Sequence, residues 1–368
     1  MAITFPASPT NGQIFTSGNK SWIWDGTTWL AYGASLSPTV LKVDVTNSRV
    51  GINNQSPAYA LDVNGTVEAT QFLQDTDYLS PYQGFRNHLI NGGFDIWQRA
   101  LSSASTGVTT ADRWYNLTAG TTTFSQDSSD YPTGVGVMYS SKWTTGATLS
   151  YGQIFQAIES SSVVRLRGSA MTFSVWVKRG ASISGSLNFQ AFYSTSSDAY
   201  GSQTIAITMT NNNIAPTTSW VRYSCNFTVP SNAVGLKVGI VPTNVQASGV
   251  VVYFAGMQLE RGSVATPFEQ RPIGTELALC QRYYYTSGIV YSQYVANNSN
   301  QFGEGFSFQY PVTMRTTPTL TNSFTSVDNA VLSASAATDK SVYIRETCAS
   351  ATFPYSNFSY SFVVSAEL

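Results

Sequence analysis

The chain reads as an all-β protein. The order is an N-terminal β-hairpin module, a thin β stem, a jelly-roll β-sandwich body and a smaller C-terminal β-sandwich. Three observations predict this class. Short alternating strands recur at intervals of about ten residues, separated by polar turns. Strong helix propensity occurs only once, over 276–282. Charged residues are 11% and aromatics 13%, while the hydrophobic fraction of 42% is that of ordinary folded protein rather than disorder. A length of 368 residues calls for two or three modules rather than one core.

Residues 1–34 form the first module. Trp22 and Trp24 share one strand face, and the turn Asp25-Gly26-Thr27-Thr28 brings Trp29 back beside them. Three of the eight tryptophans therefore sit in one hairpin, as a mini-core where aliphatics are scarce or as a docking surface.

Residues 35–82 alternate like strands but carry too little apolar surface for an independent fold. Around Asn64-Gly65-Thr66, a three-residue loop places Val63 opposite Val67 and Leu61 opposite Ala69. Asp62 and Glu68 then share the other face. Such a ribbon is marginal alone in water, and identical copies are the simplest partners. Pro57 separates two strand groups. The segment 71–79 fits either a short helix or a register-setting segment.

The body spans 83–272. Its strands are 172–177 (TFSVWV), 188–193 (NFQAFY), 221–229 (VRYSCNFTV), 235–241 (GLKVGIV) and 250–254 (VVVYF). Phe173, Val175 and Val177 alternate with Thr172, Ser174 and Trp176. Even spacing of short strands predicts two packed sheets. Thr275 is the expected N-cap of a helix over 276–282 that opens the last module. Within 273–368, strands at 305–310, 342–346 and 360–364 predict a second sandwich ending in an edge strand.

Composition bounds the function. Net charge is −1 with no basic run, which argues against nucleic-acid binding and electrostatic membrane attachment. No apolar run reaches membrane-spanning length, so membrane insertion is not expected. The N-terminus shows no signal-peptide pattern, and folding in a reducing cytoplasm is expected. Cys225, Cys280 and Cys348 have neither metal-ligand spacing nor a disulfide framework and read as buried thiols.

Reactive chemistry is scarce. His88 is the one histidine, which excludes a multi-histidine metal cluster within one chain. Asp95, Asp112, Glu159, Glu260 and Glu304 are conceivable acids or bases, but no local pattern pairs any two. Asp112-Arg113 fits a structural ion pair or turn device better than a ligand. Sugar recognition would need aromatic faces plus amides or carboxylates. Trp97, Trp114, Trp143 and Tyr193 fall in the body, where strand aromatics are usually core. Nine of the 21 tyrosines lie in 283–360. Tyr283, Tyr284 and Tyr285 abut the helix, whereas Tyr291, Tyr294 and Tyr355 sit in polar surroundings suited to receptor contact.

Several segments resemble bacteriophage tail fibres. VGINNQSPAYALDVNGTVEA resembles their trimeric stem repeats, and PTNGQIFTSGNKSWIWDGTTWLAYG resembles short modules at the ends of tail and fibre proteins. NHLINGGFDIWQRA, TADRWYN and FAGMQLERGSVATPFEQRP follow the order of fibre domains related to carbohydrate-binding jelly rolls. FEQRPIGTELALCQRYYY resembles the entry to fibre tip domains. The resemblance implies a homotrimeric virion component in which 35–82 is an intertwined trimeric β stem. Its N-terminal module would dock on another tail or baseplate protein through Trp22, Trp24 and Trp29. Its distal part would adsorb to a host-surface glycan or other receptor, with no catalytic residue and no cofactor. Related jelly rolls hold a structural calcium with an acidic residue where Asp95 stands. The partner position is Ala255 and Gly256 here, which argues against a metal. A purely structural connector or spacer fibre and a capsule depolymerase are the competing readings.

Overall fold

The computed structural model describes residues 3–18, 20–32, 41–44, 46–65, 73–74, 77–78, 85–104, 110–119, 122–146, 151–180, 183, 185–201, 205–244, 246–288, 290–295, 305–326, 330–348 and 355–368. Two compact units divide the chain, 1–81 and 82–368.

In the first unit, β1 (Ile14–Ser17), β2 (Lys20–Trp24) and β3 (Trp29–Tyr32) form an antiparallel sheet. Trp24 pairs with Trp29 across the expected turn, and their rings lie 5.5 Å apart. Asp25 Oδ1 closes that turn by accepting the N–H groups of Thr27 and Thr28 at 2.8 and 2.7 Å. Phe5 packs against Phe15, Trp22 and Trp29, each at 5.3 Å. This is an aromatic mini-core in place of an aliphatic one.

Next come β4 (Leu41–Asp44), β5 (Arg49–Ile52) and β6 (Leu61–Val63). β6 pairs in parallel with β5, Leu61 opposite Val50 and Val63 opposite Ile52. The sequence pattern did not foresee this pairing, because alternation carries no information on strand direction. The expected partners Val67 and Ala69 lie outside the described residues, as does Glu68. The described parts of 71–79 are the two-residue strands β7 (Leu73–Gln74) and β8 (Asp77–Tyr78), an antiparallel pair rather than a helix.

The second unit begins with β9 (Ser102–Ser103), β10 (Tyr115–Ala119), β11 (Thr122–Asp127), β12 (Ser140–Thr145) and β13 (Tyr151–Ile158), then the short helix α1 (Ser160–Val163). β14 (Ala170–Arg179), β15 (Leu187–Ser194), β16 (Ile205–Ala206), β17 (Asn213–Ile214), β18 (Val221–Thr228), β19 (Gly235–Pro242) and β20 (Val251–Arg261) complete the body. One sheet has the order β10-β13-β19-β15-β16, with β17 also on β15; the other has the order β18-β14-β20-β12-β11-β9. This is the two-layer sandwich that the strand spacing predicts.

Between the sheets lies the core. Phe173, Val175 and Val177 of β14 are fully buried, facing Leu187, Phe189, Leu236 and Val238. Each such side chain contributes about 1.5–3 kcal/mol of burial. β20 runs past the predicted 250–254 because a bulge lets it turn with the sheet. The register shifts between Ser174 and Trp176, where Gly256 has φ +57°. Glycine adopts that conformation without strain.

The last module opens with α2 (Ile273–Gln281), one turn earlier than predicted. Pro272, not Thr275, precedes it, and its carbonyl accepts the N–H groups of Thr275 and Glu276. Proline cannot continue a helix backwards, so it sets the start.

Beyond the helix come β21 (Tyr284–Thr286), β22 (Val290–Val295), β23 (Gly305–Gln309), β24 (Thr319–Ser326), β25 (Ala330–Ala337), β26 (Ser341–Cys348) and β27 (Tyr355–Ser365). They form two sheets around a small core of Tyr310, Met314, Val342, Ile344, Phe362 and Val364. The final strand is not an edge strand. β27 pairs with β24 on one side and with β21 and β22 on the other.

Candidate functional site

Alternation along β13, β15 and β19 sends Ile154, Phe189, Ala191, Leu236, Val238 and Ile240 into the core. Their neighbours in sequence therefore line the outer face of the sheet. The registers assemble two rows there. Tyr115 pairs with Phe155, Phe155 with Gly239, and Gly239 with Gln190. Beside it run Ala157, Lys237, Phe192 and Ala206.

Lys237 ties the rows together. Its Nζ lies 4.7 Å from the Phe155 ring centre and 5.0 Å from that of Phe192. Burial lowers its pKa from the ordinary 10.5, and the two ring faces, with the Tyr200 carbonyl accepting at 3.5 Å, offset that cost. Tyr115 and Phe155 rings are 4.9 Å apart. The Gln153 side-chain amide donates to Gln190 Oε1 at 2.6 Å. Gly239 puts no side chain between Phe155 and Gln190, and a Cβ there would overlap the Ile154 carbonyl and Phe155.

Phe155, Phe192, Tyr115, Gln190 and Lys237 are all half-buried. Ring faces beside amides and an ammonium group suit the two halves of a sugar, its C–H face and its hydroxyls. These residues were not singled out in the sequence. Their signal is the aromatic outer position in IFQAI and NFQAFY, where a polar residue would otherwise alternate.

The expected core aromatics are core. Trp114 and Trp143 are buried, while Trp97 and Tyr193 pack on the core from its margin. Trp22, Trp24 and Trp29 are half-buried in the N-terminal sheet. Tyr291 and Tyr294 lie on β22 opposite Ser359 and Ser356, and Tyr355 on β27 lies opposite Val295. The side chains of these three tyrosines are outside the described residues, as is Glu304. Tyr283 is buried, and Tyr285 packs on the second core, as expected for residues abutting the helix.

The acidic candidates are held apart by different partners. Glu260 is fully buried and pairs with Arg86 at 3.3 Å. Asp112 faces Arg99 at 3.6 Å and accepts from Gln98, while burial pushes its pKa up to about 6. Arg113, at φ +72°, pairs with Glu367 and donates to the Ala157 carbonyl at 2.7 Å, so Asp112 and Arg113 each pair with another residue. Asp95 is half-buried, and burial followed by the nearby Glu276 charge raises its pKa.

The His88 backbone N–H donates to the Leu259 carbonyl at 2.8 Å. Cys225 and Cys280 are buried thiols, both pushed up by burial. Among the described residues, no group of three or more His, Cys, Asp or Glu side chains is placed to hold a metal ion.

No family model and no curated protein matches the chain. Similar solved structures include a CBM4 structure at 15% identity and TM-score 0.32, covering 46% of this chain and 97% of that one. Another is the CBM22-1 xylan-binding domain from Paenibacillus barcinonensis Xyn10C, at 16% identity and TM-score 0.30, covering 45% and 95%. A third is the enzymatically active domain of bacteriophage CBA120 tailspike protein 4, at 15% identity and TM-score 0.31, covering 44% of this chain and 21% of that one. At such scores these likenesses assign neither a family nor a ligand.

Proposed function

We propose that this chain is a homotrimeric fibre subunit of a virus particle that recognises a surface glycan by non-covalent contact, without turnover. The observation that carries the recognition step is Lys237 lodged between Phe155 and Phe192, beside the Gln153–Gln190 amide pair, on an outer sheet face. A protein core gains nothing from aromatic rings there, whereas a sugar ring gains a platform and hydrogen-bond partners. Absence of turnover is supported by the carboxylates of Asp112, Glu159 and Glu260, each held by a different arginine.

The fibre assignment is supported by the stem wording and by apolar residues left on the surface of a single chain. Val43 is 56% exposed, Leu61 59% and Tyr59 73%. Identical copies would bury them. Three weak sites on one particle then raise avidity through high effective concentration. Attachment to another tail protein falls to the N-terminal module.

The test is binding of the purified full chain to an array of bacterial surface polysaccharides. Retention of at least one glycan, lost in the Phe155→Ala/Phe192→Ala variant, is the expected result. A folded chain that retains none contradicts the proposal and favours a spacer fibre. Depolymerisation of a bound glycan would contradict the absence of turnover.

A further inference from the structure

The outer face of the other sheet carries a second registered row. Lys142 pairs with Tyr253, and Tyr253 with Lys178. Trp220 stands next, just before Val221, which pairs with Val177. The two lysine Nζ atoms lie 5.7 and 5.8 Å from the Tyr253 ring centre, and the Trp220 ring lies 6.2 Å from it at 61°. All four side chains are half-buried. The inward residues of the same strands, Trp143, Val177 and Val252, already fill the core.

A loop fixes this row from the side. Asp127 Oδ1 accepts the N–H groups of Ser129 and Asp130, and Ser140 Oγ donates to the Asp130 carbonyl. The Asp130 carboxylate then accepts from Lys178 Nζ at 2.8 and 2.6 Å and from Trp220 Nε1 at 3.0 Å. The indole is thereby pinned, which removes much of the ordering cost of binding. The two lysines differ in charge balance. Lys178 is neutralised by Asp130 at 2.6 Å, whereas Lys142 has no carboxylate within 4.0 Å among the described residues and interacts with the Asp127 charge at longer range.

We infer that Lys142, Tyr253, Lys178, Trp220 and Asp130 form a second binding site that takes a carboxylate-bearing saccharide. Tyr253 and Trp220 offer ring faces to the sugar C–H face, Lys142 meets the carboxylate, and Asp130 accepts from hydroxyls. One ammonium group without a direct ion pair, with the Asp127 and Asp130 carboxylates nearby, suits a singly charged sugar and disfavours a polyphosphate. The site lies on the opposite sheet from the first face, so either can fail alone.

The test is calorimetric titration of the full chain at millimolar concentrations of three acidic probes. These are oligomers of galacturonic acid, of glucuronic acid alternating with N-acetylglucosamine, and of N-acetylneuraminic acid; neutral galactotriose is the control. At least one acidic probe should bind more tightly than the control. Lys142→Gln should weaken it about tenfold or more, and Phe155→Ala/Phe192→Ala should leave it unchanged. No binding of any acidic probe, equal binding of galactotriose, or unchanged affinity in Lys142→Gln would overturn the site. Lys142 is half-buried on the outer sheet face, and an unchanged thermal midpoint in Lys142→Gln separates lost contact from lost fold.

Discussion

The Arg282 guanidinium grips the Glu159 carboxylate with two nitrogens, Nε to Oε1 and Nη2 to Oε2, both at 3.0 Å. The Tyr283 hydroxyl donates to the same carboxylate at 2.6 Å. Glu159 follows β13 of the body, and Arg282 follows α2 of the last module, so this bidentate pair joins the two. Arg315 to Asp198 at 2.7 Å and Arg99 to Glu367 at 2.9 Å reinforce the junction. The Arg99 and Arg113 guanidinium groups also lie over the Tyr284 and Tyr283 rings at 3.6 and 3.5 Å. The C-terminal module is thus seated on the body by paired charges rather than by a continuous apolar core.

Glu159→Gln removes the charge and keeps the shape. Because Arg282 is 38% exposed, the loss should be about 1–3 kcal/mol, below that of breaking a fully buried pair. Burial pushes the Glu159 pKa up, but hydrogen bonds from Arg282 and Tyr283 outweigh it, leaving it below 4.5. Its stabilisation is therefore present above the unfolded value and lost as pH falls through the lower folded value. Urea melts at pH 7 and pH 3 should show a smaller pH difference in the variant than in the parent.

His88 supplies a second pH signature of known sign. Burial, then the charges of Arg261 and Arg271, lower its pKa from 6.5 to about 4. The unfolded chain binds the proton first, so stability is lost as pH falls from about 6.5 towards 4. His88→Gln should recover about 1–2 kcal/mol at pH 5 relative to pH 7. Since the chain has one histidine, a single imidazole signal in the proton spectrum reports the folded value directly.

Gly92 accepts the Met257 N–H at 2.9 Å through its own carbonyl. A Cβ at Gly92 would overlap the Met257 carbonyl oxygen, which is backbone and cannot rotate away. Gly92→Ala should cost about 2–4 kcal/mol through forced backbone displacement. The check is the thermal midpoint, with Gly134→Ala as a φ-positive control that meets no neighbour within 4 Å.

The proposed trimeric assembly predicts a solution mass of three times 39.8 kDa. Light scattering at micromolar concentration checks it, and Leu61→Asp should shift the mass towards that of a single chain.

The body was legible in the sequence wherever alternation was strong. TFSVWV and GLKVGIV lie inside β14 and β19, with Phe173 and Val238 buried as their period requires. The parallel pairing of β6 and the internal place of β27 were not legible, because alternation names a face and not a neighbour. Pro272 overrode Thr275 through a backbone constraint stronger than a capping side chain. The candidate face was illegible for a further reason. Phe155, Gln190 and Lys237 meet only through the pairing of three strands, and each segment alone reads as an ordinary strand.

The most direct measurement is the dissociation constant of the array-selected glycan for the parent chain and for Phe155→Ala/Phe192→Ala, under identical salt. Removing both ring faces beside Lys237 should weaken binding at least about tenfold, with the fold retained. An unchanged constant in a folded double variant would contradict recognition by this face.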